Sequence, residues 1–281
     1  MDQLNVIIFS KDRAAQLDAL LRSIREKVEG WESRARWAVV HAASTPEFAK
    51  GYAIVRAQHQ SPALEFIDEQ AQAGVFKSIV VETMQKRHQA NDAPWCMFLV
   101  DDMIFKQPWP LDAGKPMQRL KRDPRVLCLS LRMCPRYDFC YAENREVKPP
   151  FWARFGRWNW CKSKGDWGYP MSVDGHVFRY DDLFPIVQSI EFKHPNSFEA
   201  ALNGCRIKAR PLMTCYRESV VVNLPVNRVQ HDYKNRAGEE HGISAEELNE
   251  AFLAGKRVDL APVYALNDNR GCHHEMPMQL V

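Results

Sequence analysis

Short, continuously apolar, β-branched runs alternate with amphipathic stretches through the first hundred residues, and this rhythm constrains the fold more than anything else in the chain. "NVIIFS" (5–10), "RWAVVHAAS" (36–44), "ALEFIDE" (63–69) and "WCMFLV" (95–100) read as strands. Between the first two, Leu17, Leu20, Leu21, Ile24 and Val28 recur at helical spacing, with Asp12 as the expected N-cap. "GVFKSIVVETMQKRH" (74–88) reads as a further helix. Alternation of this kind predicts an α/β fold with a mostly parallel, Rossmann-like sheet flanked by helices. In such sheets ligands bind beyond the carboxyl ends of the strands.

Asp101 and Asp102 follow the fourth apolar run directly, and Met103, Ile104 and Phe105 restore apolar character after them. Adjacent carboxylates in apolar company repel each other and resist desolvation unless something positive holds them ionised. A solvated strand end, or pairing with Lys106, is the plain alternative. On a regular strand the two side chains point to opposite faces, so they cannot grip one ion from the same pleat. At a strand end, one can face a nucleotide's ribose while the other holds a cation. Mg²⁺ and Mn²⁺ take few protein carboxylates and complete their shells with water and phosphate. An acid pair is therefore sufficient for a diphosphate clamp.

The 281 residues fit one large domain or two closely packed halves, with 46% hydrophobic and 26% charged residues. A net charge of +3 suits an anionic small ligand or a visit to a membrane surface and is too weak to argue for nucleic acid. No apolar run approaches the roughly 18 residues of a membrane span. The opening "MDQLNVIIFSKDR" lacks the pattern of a signal peptide, so a cytoplasmic location, with possible membrane association, is expected. The eight cysteines are scattered and expected to be reduced; neither the six-residue spacing of Cys128, Cys134 and Cys140 nor "CHHE" (272–275) matches a zinc template.

The second half differs in texture. "RVLCLSLRM" (125–133) and "SVVVNLPVNRVQ" (219–230) read as strands, and "MSVDGHVFR" carries the Asp-Gly signal of a hairpin. "HPNSFEAALNG" (194–204) and "SAEELNEAFLAG" (244–255) read as helices, the latter with a Ser244/Glu247 capping box. After the first of these strands comes an irregular aromatic and basic stretch, "PPFWARFGRWNWCKSKGDWGYP" (149–170). Its rings suit stacking on sugars or a membrane interface, against a plainer role covering the core.

Four stretches, in order, resemble the glycosyltransferases of the GT-A fold, of the family 2-like, nucleotide-diphospho-sugar type: "NVIIFSKDRAAQLDALLRSI", "FLVDDMIF", "DGHVFRYDDL" and "PNSFEAAL". The resemblance spans residues 5–230 and departs from the family at two points. The usual Asp-x-Asp is here Asp101-Asp102-Met103, and Asp12-Arg13 stands where Asn-Arg is common. It implies a single GT-A domain, with residues 1–110 binding the nucleotide sugar and 111–281 binding the acceptor and forming an acceptor-side extension.

By the same resemblance, Asp102 is the metal ligand for Mn²⁺ or Mg²⁺. Ser10, Lys11, Asp12, Arg13, Asp101, Asp174, Gly175, His176 and Arg179 contact the donor. Glu199 is the implied catalytic base of an inverting transfer to a glycan or lipid-linked acceptor. Were Asn196 the N-cap, however, Glu199 would sit where a glutamate commonly caps. A late histidine often completes such metal sites, and His231, His241, His273 and His274 are all available. Two other functions fit the pattern. One is a sugar-nucleotide nucleotidyltransferase, against which "FSKDRAAQ" contains no glycine; the other is a non-catalytic binding protein of the same fold.

Overall fold

The computed structural model describes residues 3–71, 75–111, 114–229 and 236–281. The chain opens with β1 (Leu4–Lys11), α1 (Ala14–Lys27), β2 (Ala35–Ala42), α2 (Pro46–Gln58), β3 (Leu64–Asp68), α3 (Phe76–Asn91) and β4 (Trp95–Val100). After the acid pair come β5 (Met103–Phe105), α4 (Lys115–Arg122), β6 (Val126–Ser130), a ribbon of β7 (Phe139–Cys140) and β8 (Arg145–Glu146), and β9 (Arg157–Asn159). Then follow β10 (His176–Arg179), α5 (Tyr180–Ser189), α6 (Pro195–Gly204), β11 (Leu212–Cys215), β12 (Val221–Asn223), α7 (Ala245–Leu253) and α8 (Ala261–Tyr264).

Both halves of the chain contribute to one sheet, in the order β3-β2-β1-β4-β10-β6-β11-β9. β3, β2, β1 and β4 are mutually parallel, as are β6 and β11. β10 runs antiparallel between β4 and β6, and β9 lies antiparallel on the edge. Strand alternation divides the core: Leu4, Val6 and Ile8 face a cluster that includes α1 and α7, while Ile7 and Phe9 face one that includes α3, α5 and α6. From Leu4 to Ser10 each side chain of β1 is therefore buried on its own face, and only Lys11 at its end is exposed, which is why Val6 to Phe9 read as unbroken apolar sequence.

Three local expectations need correction. Asp174-Gly175 turns no hairpin: β10 finds its partners in β4 and β6, which are remote in sequence. Gly175 adopts φ +70°, and its N–H donates to the Phe98 carbonyl at 2.9 Å. A Cβ at this position would stand 3.0 Å from Met103 Cε and 3.1 Å from Val221 Cγ2, so the glycine answers a close approach as well as a dihedral angle. Asp12 does not cap α1, whose N-cap position is Arg13; it takes a left-handed φ of 56° and accepts the Ser44 N–H at 2.6 Å. Finally, α6 is capped by His194, with Pro195 at its first position, and the partner of the box is Ser197. Glu199 is thereby left out of the cap.

Candidate active site

β1 and β4 are adjacent and in parallel register, Phe9 opposite Val100, so whatever follows one strand meets whatever follows the other. β1 ends at Lys11, and Asp12 and Arg13 follow it; after β4 come the two acids. The left-handed turn at Asp12 brings Arg13 back over the strand ends. Arg13 Nη1 lies 3.1 Å from Asp101 Oδ1 and 3.6 Å from Asp102 Oδ2. The Lys11 N–H donates to Asp101 Oδ2 at 3.3 Å. Asn223, on β12, donates to Asp102 Oδ1 at 3.0 Å. Asp101 is the more enclosed acid, its side chain 4% exposed against 13% for Asp102, so Asp102 is the one open to an incoming ion.

Burial pushes the Asp101 carboxyl up to about 6, against the downward pull of Arg13. It raises Asp102 as well, again opposed by Arg13, with Asp174 adding to the rise. One guanidinium faces two buried carboxylates, and this arrangement favours a second cation. Lys106 does not supply it. Its Nζ donates instead to the carbonyls of Leu266 and Asp268 and to Asn269 Oδ1.

These groups line a cleft of about 770 Å³ that also receives Ser10, Asp174, Glu199 and His273. Ser10 Oγ lies 2.7 Å from the Tyr52 hydroxyl, which also accepts the Arg13 N–H. Asp174 Oδ2 accepts from Arg132 Nη1 at 3.1 Å, and the same guanidinium reaches Asp166, to which the Tyr137 hydroxyl donates. Glu199 Oε1 accepts from Ser172 Oγ at 2.7 Å and from the Val173 N–H at 3.1 Å. Lys11, Lys193 and Arg228 add positive charge to the cleft wall.

The tertiary structure distinguishes among the late histidines. His273 lines the cleft, with its ring stacked on Tyr141 at 5.5 Å, and burial lowers its pKa, which favours the neutral, ligating form. His274 is near the Gly271 carbonyl through Nε2, His241 is exposed on the surface, and His231 lies outside the described residues. Among the described residues no three His, Cys, Asp or Glu groups converge as a ready-made metal cage. A carboxylate and an imidazole at one cleft wall instead suit a cation whose shell is completed by diphosphate and water.

Ser10, Lys11, Arg13, Asp101, Asp102, Asp174 and Glu199 thus share one cleft. Asp12 borders an adjoining groove, and Gly175 is buried just before β10, against the side chains of Met103, Val221 and Leu99. Two expected donor residues sit elsewhere, because β10 runs antiparallel and away from the cleft. Arg179, at its far end, donates to the carbonyls of Leu120, Asp123 and Val126 at the base of α4 and β6. His176 is buried in the sheet with Nδ1 3.0 Å from the Pro170 carbonyl, while Nε2 has no hydrogen-bond partner among the described residues. Its pKa is lowered to about 3, chiefly by burial and then by Arg132.

The protonated form of His176 is confined to the unfolded state between about pH 6.5 and 3, so this group costs stability as pH falls through that window. By urea denaturation, His176→Gln is expected to reduce the loss between pH 7 and 5 by about 2 kcal/mol. An unchanged slope would contradict this account.

Sequence patterns alone did not single out Tyr52, Arg132 or Asn223. The stretch 149–170 also divides: Trp158, Trp160 and Trp167 are core, while Phe151, Trp152 and Phe155 are exposed.

No protein-family model matches the chain. It is 23% identical over 290 aligned residues to the bifunctional glycosyltransferase pgtA of Dictyostelium discoideum, covering 91% of this chain but only 36% of that protein. The structure is similar to that of S. aureus TarS 1–349 in complex with UDP, with a TM-score of 0.50 and 13% identity over 78% of this chain and 59% of that one. The same TarS fragment with UDP-GlcNAc gives a TM-score of 0.49 at 12% identity, over 90% of this chain and 66% of that one. The mostly parallel sheet, the arrangement of its helices and this sequence relationship place the chain among the proteins of the GT-A glycosyltransferase fold.

Proposed function

We propose that the chain transfers a sugar from a nucleotide-diphosphate donor to a hydroxyl of a glycan or glycolipid acceptor, with a divalent cation and with inversion at the anomeric carbon. The observation that carries this reading is the convergence of the Asp101–Asp102–Arg13 cluster and Glu199 on one cleft. Asp102 and His273 are the groups that would hold Mn²⁺ or Mg²⁺. When bound, the ion supplies charge compensation at the leaving diphosphate.

The residues of the chain divide the remaining work. Asp101, fixed by Arg13 and the Lys11 N–H, orients the nucleoside. Ser10 and Lys11 lie on the same wall, and Lys193 and Arg228 meet phosphate charge. Asp174, held by Arg132, accepts from sugar hydroxyls. Glu199, positioned by Ser172 and Val173, takes the acceptor hydroxyl's proton as that oxygen bonds to the anomeric carbon. The bond from that carbon to the diphosphate oxygen breaks, and its electron pair leaves with the nucleoside diphosphate.

Thermal-shift titration with UDP-, GDP-, CMP- and dTDP-sugars, each with Mn²⁺ and with EDTA, tests this reading. UDP donors come first, since the structurally similar TarS fragment is in complex with UDP. At about 100 times Kd, binding contributes about 2.7 kcal/mol, or a rise of about 5 °C. The expected result is such a rise for one nucleotide, dependent on metal and lost in Asp102→Asn. Absence of a shift with every donor removes the support for a transferase. Binding without metal-dependent donor hydrolysis would leave a non-catalytic binding protein.

A further inference from the structure

We propose that the 3₁₀ turn Phe151–Phe155 docks the protein on an anionic lipid bilayer, at the same edge of the sheet as the cleft. Phe151, Trp152 and Phe155 are 61%, 62% and 52% exposed, and only Val75 and Val281 among the described residues are other large apolar side chains left so open. Concentration of three on one turn sets this site apart from scattered surface hydrophobes, which need no explanation.

The turn is held firmly while its rings face outward. Ala153 is fully buried, and its N–H donates to the Pro150 carbonyl at 2.9 Å. The Gly156 carbonyl accepts from Arg119 Nη1 at 3.0 Å, from Thr214 Oγ1 at 2.7 Å and from the Cys215 N–H at 3.1 Å. Arg119 also binds the Phe155 carbonyl. The three aromatic rings form a contiguous surface, with centroids 5.3 Å apart between Phe151 and Trp152 and 5.7 Å between Trp152 and Phe155. The Arg154 guanidinium lies over Phe151 and Phe155, at 3.6 and 4.7 Å from the ring centroids.

Charge and size choose the occupant. From Lys148 to Lys164 the chain carries Lys148, Arg154, Arg157, Lys162 and Lys164 and no acid. Aromatic rings set among cations match the headgroup level of a bilayer with anionic lipids. Three half-exposed aromatic side chains present about 300 Å², well short of the roughly 800 Å² per partner of a stable protein interface.

Position supplies the link to function. β11 points the same way as β4, because β6 and β11 are parallel and β10 is antiparallel to both β6 and β4. The turn contacts the carboxyl end of β11 through Cys215 and so lies on the edge of the sheet that carries Asp101 and Asp102. The two strands are three sheet spacings apart, about 14 Å. A bilayer docked here lies beside the cleft and can present a lipid-linked acceptor. That last step rests on the proposed transferase activity, whereas the docking does not.

The test is flotation of the whole chain with vesicles of phosphatidylcholine, with and without about a third phosphatidylglycerol. Partitioning is expected to be at least tenfold stronger on the anionic vesicles and to weaken with salt. It should fall at least tenfold in the triple variant Phe151→Ser, Trp152→Ser, Phe155→Ser, whose changed side chains are surface-exposed. Lys148→Glu with Arg154→Glu should remove the preference for anionic lipid. Equal binding by the triple variant, or no binding of the unmodified chain to anionic vesicles, overturns the proposal. Self-association abolished by the triple variant, without vesicle binding, also overturns it and assigns the turn to a second copy. Donor-induced thermal shifts are followed in the same samples. If they are absent while lipid binding follows the expected pattern, the transferase reading fails and docking stands.

Discussion

Glu199→Gln is expected to lower the turnover of sugar transfer by about 10²–10⁴-fold while leaving donor affinity nearly unchanged. The amide retains the shape of the carboxylate and can still accept from Ser172 Oγ and the Val173 N–H through its oxygen, so positioning survives and basicity is lost. The measurement is kcat and KM for transfer, together with donor binding by thermal shift. Because the cap of α6 is built from His194 and Ser197, the variant should fold as the parent does. A variant with turnover near that of the parent would remove Glu199 from the mechanism. A large loss of stability would show a structural role that the hydrogen bonds do not indicate.

Arg13→Met should destabilise the protein by about 3–5 kcal/mol at pH 7, the cost of leaving buried carboxylates without their counter-ion. Arg13 also donates to the Asn227 carbonyl and, through its backbone, to Tyr52, so it links the first loop to the chain beyond β12. The sign of the pH dependence is determined by the acids. Their folded pKa values are already raised by burial, and removing the guanidinium raises them further. The proton is then bound more tightly in the folded state than in the unfolded one. The deficit should shrink as pH is lowered from 7 to 5 and grow as it rises through the folded pKa. Urea denaturation at both values measures this, and a deficit independent of pH would contradict the account. Adding Mn²⁺ with a donor nucleotide should recover part of the lost stability, since a cation then replaces the missing charge.

Much of this architecture was legible in the chain because the information was local. The run Trp95–Val100 matches β4 residue for residue, and the Ser244/Glu247 box opens α7 as read. Continuous burial on both faces leaves a plain apolar record in a strand, and a capping box spans only four residues. α2 was missed even though Thr45 caps it and Pro46 follows at its first position. Its apolar periodicity is weak, and Gly51 sits mid-helix because a Cβ there would lie 2.8 Å from Ala14 Cβ and 2.5 Å from Asn249 Oδ1. A helix shaped by what it packs against does not advertise itself in propensity.

The sequence by itself determined the alternating strands and helices, the placement of two acids after a buried strand, and the cationic, aromatic character of residues 149–170. These follow from hydrophobic period and chemical type, properties carried by neighbours along the chain. Only the tertiary structure decided that Arg13 neutralises Asp101, that His273 and not His274 lines the cleft, and that Asp174 is held by Arg132. It also took Arg179 and His176 away from the cleft by running β10 antiparallel, which no short-range signal encodes. Each of these contacts joins residues far apart in sequence, and their partners are determined by strand order and register. Charge pairing and burial are properties of that arrangement, so they become readable only once the sheet is assembled.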